Sequence, residues 1–174
     1  MPLFLYPFLA LGGFVAWAWK RGSNSAQADM PDSVTASCDG RIIDALGWPY
    51  FFGKGDPSTP WSDGPKGVDC SGSAQMALVR LGELSSSAGD RGASSLANDS
   101  NPIPVGSQGV GDLAYYPGHV MVVCGPPGPD GHSPVIGASG GHAYTLGTDP
   151  NARVKLYSTG KYRSDFVTYM RLKS

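Results

Sequence analysis

Gly67-Val68-Asp69-Cys70-Ser71-Gly72-Ser73-Ala74-Gln75-Met76-Ala77-Leu78 sets a thiol where a helix is predicted to start, and the rest of the chain is read outward from it. Ala74, Ala77, Leu78 and Leu81 recur at helical spacing, so one face is apolar, and Gly82 follows as a stop signal. The first turn of such a helix carries unpaired N–H groups, and together with the helix dipole they favour a thiolate, the nucleophilic form of cysteine. A free cysteine is more often a small buried hydrophobe. Here Asp69 and Ser71 are polar on both sides and Gly67 and Gly72 leave the approach open, which suits a cleft wall better than a core.

A thiol nucleophile needs a base. Gly111-Asp112-Leu113-Ala114-Tyr115-Tyr116 and Gly118-His119-Val120-Met121-Val122-Val123-Cys124-Gly125 read as two strands joined by a tight Pro117-Gly118 turn. His119 opens the second strand. From a strand end its imidazole could take the thiol proton and later return it to a leaving amine.

Asp69-Cys70-Ser71-Gly72, then Gly111-Asp112-Leu113, then Gly118-His119-Val120 resembles the NlpC family of papain-like cysteine peptidases, which cut the peptide stems of bacterial cell wall. Leu46-Gly47-Trp48-Pro49-Tyr50-Phe51-Phe52-Gly53-Lys54-Gly55 resembles the family's segment ahead of the nucleophile, and Phe166-Val167-Thr168-Tyr169-Met170-Arg171 its last strand. The resemblance runs from about Asp32 to Leu172. It implies an α+β, papain-like fold with Cys70 as nucleophile and His119 as base. It also implies that Tyr50, Asp69 and Ser71 hold the free amine of a stem peptide, with the bond between D-glutamate and the diamino acid as the scissile one.

One position departs from the family. A third polar residue, most often His, sits there on the strand after the base and orients its ring. The matching segment is Val135-Ile136-Gly137-Ala138-Ser139, with Gly137 at that place. Period-two alternation puts Ser139 on the same strand face, and His142 lies just beyond, so either is a candidate third member. His132, in a Pro-Asp-Gly turn, is expected to be solvated.

The first stretch stands apart. Leu3 to Trp19 carries no charge and is long enough for a short membrane span, and Lys20-Arg21 ends it. Ala26-Gln27-Ala28 has the small-x-small look of a signal-peptide cleavage site, but Met1-Pro2 lacks a basic start, which favours an uncleaved single-pass anchor. The expected organisation is an anchor over 1–22, a linker over 23–31 and one catalytic domain over 32–174. Cations after the span would keep the tail cytoplasmic, whereas cell wall lies on the periplasmic side. Deployment of a phage protein from a virion or host membrane would reconcile the two.

Asp32 or Ser33 is predicted to cap a helix running to Leu46 with Cys38 packed on it. Ser85 to Gly109 reads as a loose excursion with a short helix near Ser94 to Asn98, of the kind that walls a groove. Two further strands are predicted over Arg153 to Ser158 and Asp165 to Leu172. Together these give a mostly antiparallel sheet on two or three helices. With 174 residues, 41% of them hydrophobic, one core is the expectation.

A net charge of -1 with scattered Lys and Arg argues against nucleic acid as a partner. Three cysteines at unmatched spacings argue against structural disulfides, and with three histidines and no HExxH they argue against zinc; no metal or cofactor is expected. Cys124 reads as core.

The expected chemistry is attack of the Cys70 thiolate on a stem-peptide amide. Backbone N–H groups, that of Cys70 included, hold the oxyanion, His119 protonates the leaving amine, and water hydrolyses the thioester. An amidase cutting the sugar-to-peptide bond would use the same pair. The same residues would also suit a related acyltransferase or deamidase, or an inactive virion or envelope protein that keeps the fold.

Overall fold

The structure is a computed structural model and describes residues 32–173. Its helices are α1 (Asp32–Ser37), α2 (Cys70–Leu81) and α3 (Ala93–Asn98). Its strands are β1 (Ser100–Ile103), β2 (Leu113–Tyr116), β3 (His119–Val123), β4 (Val135–Ser139), β5 (Arg153–Tyr157) and β6 (Thr168–Leu172). They form one α+β unit with a six-stranded sheet in the order β1-β6-β2-β3-β4-β5, every neighbouring pair antiparallel.

α2 starts at Cys70 because the Asp69 side chain caps it, accepting the Gly72 N–H at 2.7 Å. It stops at Gly82, which takes the left-handed φ of 86° and returns its N–H to the carbonyls of Leu78 and Val79. Ala74, Ala77, Leu78 and Leu81 are all buried, and they pack in one core with Val120, Val122, Ile136 and Ala138. Burying a leucine of this kind contributes roughly 1.5–3 kcal/mol. A polar tie fixes the helix on the sheet: the Ala138 N–H donates to Ser73 Oγ at 3.0 Å.

β3 is buried from end to end because both sheet faces are covered. Val120 and Val122 turn to α2, while Met121 and Val123 turn to a second cluster with Ala114, Tyr116, Val135 and Tyr169. Tyr157, Tyr162 and Phe166 close that second face.

Several expectations are corrected. The first helix ends at Ser37 rather than Leu46, and Ile43–Ala45 forms a separate 3₁₀ turn. Asp39 breaks the run: its carboxylate accepts from the backbone and side chain of Arg41, and its N–H goes to the Cys124 carbonyl at 2.6 Å. Cys38 and Cys124 form a disulfide across 86 residues. The odd cysteine count concealed it, since the pairing arises from packing of the segment after α1 on the end of β3, which no local spacing encodes. β1 has no counterpart among the predicted strands. Its Pro102 and Asn101 read as loop, yet a sheet edge tolerates proline. The last strand is shorter than expected and begins at Thr168, because residues 165–167 belong to the covering loop.

The anticipated anchor over 1–22 and linker over 23–31 lie outside the described residues. Among the described residues no helix is long and apolar enough to cross a membrane.

Candidate active site

The start of α2 opens into a cleft of about 290 Å³ lined by Tyr50, Phe52, Gly53, Gly55, Asp69, Cys70, Ser71, Asp90, Gly92, Ala93 and Gly118. Four of the residues singled out in the sequence, Tyr50, Asp69, Cys70 and Ser71, therefore share one wall. Cys70 is the only free cysteine among the described residues and is partly exposed.

Local chemistry builds this wall. Asp69 accepts the Ser71 hydroxyl at 3.0 Å on the oxygen that caps α2, and the Gly53 N–H at 2.9 Å on its other oxygen. The carboxylate thus ties the loop over residues 53–55 to the helix start. Gly72 is needed for the same approach: a Cβ there would collide with the carbonyl oxygens of Lys54 and Gly55. Its role is close backbone packing, not the open approach read from the sequence. Opposite, Gln75 is wholly buried and donates to Asp90 at 2.9 Å and to the Arg91 carbonyl at 3.0 Å, while accepting the Arg91 N–H at 2.9 Å. A single α2 side chain therefore pins the loop before α3 as the second wall, as the excursion over residues 85–109 suggested.

Electrostatics at the sulfur oppose the thiolate expectation in part. Burial, and next the charge of Asp69, push the Cys70 thiol up, while the N–H groups of Val120, Ser71 and Cys70 pull it down. Burial likewise raises the Tyr50 phenol, with the charges of Cys70 and Asp69 next in effect. Tyr50 is packed over Gly141, where a Cβ would strike its ring.

His119 does not itself line the cleft; the residue before it, Gly118, does, and the Val120 backbone after it is among the groups that lower the Cys70 thiol. The His119 ring is buried and leans to the aromatic side of β3, 5.5 Å from the Tyr116 ring between centroids. Nε2 lies 3.0 Å from the Tyr162 hydroxyl. Burial pushes this histidine down to about 4, helped by the charge of Arg163 and opposed by that of Asp165.

The candidate third members part company. His142 is exposed in a turn, where its Nδ1 accepts the Tyr144 N–H at 3.2 Å and its N–H donates to Thr145. It does not meet His119. Ser139 is buried, and burial raises the phenol of Tyr162, the group in contact with His119, with Ser139 acting to lower it. Gly137 has Met121 against it at 3.4 Å from where a Cβ would stand. His132 is half-buried rather than solvated, with Nδ1 3.2 Å from the Tyr169 hydroxyl and its ring edge-on to Phe166. Sequence reasoning misses Tyr162 because a tyrosine after a Gly160 turn carries no positional signal. Among the described residues no group of three or more His, Cys, Asp or Glu is placed to hold a metal ion.

No family model matches the sequence, and no curated protein matches it. Among solved structures, the chain is similar to a Staphylococcus aureus protein described as similar to lipoprotein, NLP/P60 family, with a TM-score of 0.50 and 18% sequence identity. The match covers 86% of this chain and 45% of that one, so the chain spans under half its length. The class defined here is an NLP/P60-like α+β fold with a cysteine at the head of its central helix.

Proposed function

We propose that the chain is a peptidoglycan hydrolase that cuts an amide of the stem peptide through a Cys70 thioester, with His119 as proton acceptor and donor. The observation that carries this reading is the thiol at the capped start of α2, facing a cleft that Gly118, the residue before His119, also lines.

In the neutral resting pair, attack moves the thiol proton to His119 as the C–S bond forms. Breaking the C–N bond returns that proton to the leaving amine, and water then releases the acid and the thiol. N–H groups at the start of α2 are the donors for the oxyanion. Asp69 keeps lone-pair capacity beyond its three accepted hydrogen bonds, which suits an ammonium at the end of a stem peptide. The bond between D-glutamate and the diamino acid is the proposed target. The disulfide favours an oxidising compartment, and so a domain working outside the cytoplasm behind an N-terminal anchor.

Digestion of purified sacculi, with Cys70→Ala as control and mass analysis of the fragments, tests the reading. New stem-peptide amine ends released only by the unsubstituted protein are expected, and equal release by the control overturns it. A second reading, an inert protein that keeps the fold, draws on the raised thiol and lowered imidazole. The pH profile of Cys70 alkylation separates the two: reactivity that climbs only in the range of an ordinary or higher thiol favours the inert protein.

A further inference from the structure

We propose that a second cavity, opening beside the cleft at Cys70, is a substrate subsite for an amino-carboxylate group, with Asp90 receiving its ammonium and Lys54 its carboxylate. The inference rests on the stem-peptide reading above and deepens it. Of the diamino acids that a stem can carry, diaminopimelate holds both groups on one side-chain carbon, whereas lysine has the ammonium alone.

The cavity measures about 580 Å³, and its charged lining is Lys54, Asp56, Asp63, Lys66 and Asp90. Gly53, Gly55 and Asp90 line both this space and the cleft, so the two meet along the loop over residues 53–55. A substrate seated at Cys70 therefore has a side chamber of small-ligand size adjoining it.

The walls of the chamber are preformed. Asp69 ties the loop to the start of α2 twice, through its carboxylate at the Gly53 N–H and through its own N–H, which donates to the Lys54 carbonyl at 2.9 Å. The 3₁₀ helix Trp61–Lys66 carries the far wall. Its Trp61 ring meets Trp48 at 4.6 Å between centroids, and Gly64 lies so close to Trp48 that a Cβ would strike the indole. Asp90 is held by the amide of the buried Gln75.

Three of the five charges are already answered. Lys66 pairs with Asp63 at 2.9 Å, and one oxygen of Asp56 accepts the Ser58 N–H, the Ser58 hydroxyl and the Thr59 N–H. The Lys54 ammonium has no hydrogen-bond or ion-pair partner among the described residues and stands 5.7 Å over the Phe51 ring. Asp90 makes no ion pair among them and accepts the Gln75 amide on one oxygen, which leaves its other oxygen free. One open cation and one open anion are complemented by a ligand that carries both signs, not by a simple anion or cation.

The test compares two synthetic tetrapeptide stems that differ only in diaminopimelate or lysine at the third position. Their affinities are measured calorimetrically on the full chain bearing Cys70→Ala, and their cleavage with the unsubstituted chain. The diaminopimelate stem should bind about 3- to 5-fold more tightly, the scale of an exposed ion pair. Lys54→Met, which keeps the length of the side chain without its charge, should bring that ratio to about one. Asp90→Asn, which keeps an acceptor for Gln75, should weaken the diaminopimelate stem by a similar factor. Equal affinities for the two stems overturn the proposal, as does a preference that survives Lys54→Met. The comparison of stems needs no substitution in the cavity, so it decides the matter even where a variant fails to fold. A preference in binding with neither stem cut by the unsubstituted chain would overturn the hydrolase reading alone, and equal binding with both stems cut would overturn the subsite alone.

Discussion

The two faces of the sheet are built from different materials. The face under α2 is mostly aliphatic and small: Ala74, Ala77, Leu78 and Leu81 meet Val120, Val122, Ile136 and Ala138. The opposite face is aromatic and hydroxylated, with Tyr116, Tyr157, Tyr162, Phe166 and Tyr169 gathered around His119 and His132. Aliphatic packing is tolerant of direction and answers to volume. Phenols impose geometry, since each buried hydroxyl requires a partner. The first face places the thiol, and the second governs the imidazole.

The comparison breaks most sharply at the sulfur. Cys70→Ala should abolish sacculus cleavage while leaving the melting temperature within a few degrees, because the cap of α2 belongs to Asp69 and not to the thiol. Loss of fold together with activity would mean that Cys70 is a packing residue of the aliphatic face. Next in size is the crosslink. Reducing Cys38–Cys124, which closes a loop of 86 residues, should cost on the order of 4 kcal/mol, read as a drop in the urea midpoint on adding reductant. Leu78→Ala, fully buried under α2, should cost about 3 kcal/mol in the same measurement.

The aromatic face should reveal itself through pH. His119 titrates at about 4 when folded, below its usual 6.5, so the unfolded chain binds the extra proton between those values. Stability from this group is complete above pH 6.5 and falls as pH drops toward 4, by about 3 kcal/mol in total. His119→Gln should flatten that limb of the stability profile; an unchanged limb would mean that the imidazole is not buried as described. The smallest effect is that of Tyr169→Phe. It removes the hydroxyl that accepts the Ser133 N–H at 3.1 Å and should cost about 1–2 kcal/mol.

The same contrast explains what the sequence could tell. α2 is legible to the residue because period, cap and glycine stop all agree, and the β2–β3 hairpin because a tight Pro-Gly turn separates two apolar runs. Cys70, Asp69 and Ser71 emerge together for that reason, whereas Tyr50 is singled out only by the family resemblance of the segment ahead of the nucleophile. The aromatic face is not legible. Tyr162 and Phe166 sit in an irregular loop, and their contacts with His119 and His132 exist only once the chain has closed over β4 and β5. Gly137 stands out as a gap, but a gap does not say which distant residue fills the role. The disulfide escapes for a like reason: cysteine spacing is silent about partners brought together by a sheet.

That crosslink also sets how the domain would bear a load. Tension applied at residue 32 would pass through α1 to Cys38 and then directly into Cys124, just after β3, one of the two middle strands. Pulling from this side therefore drags on the centre of the sheet as one body instead of unzipping an edge. A pull on the N-terminal side would thus strain the sheet while the cleft keeps its shape.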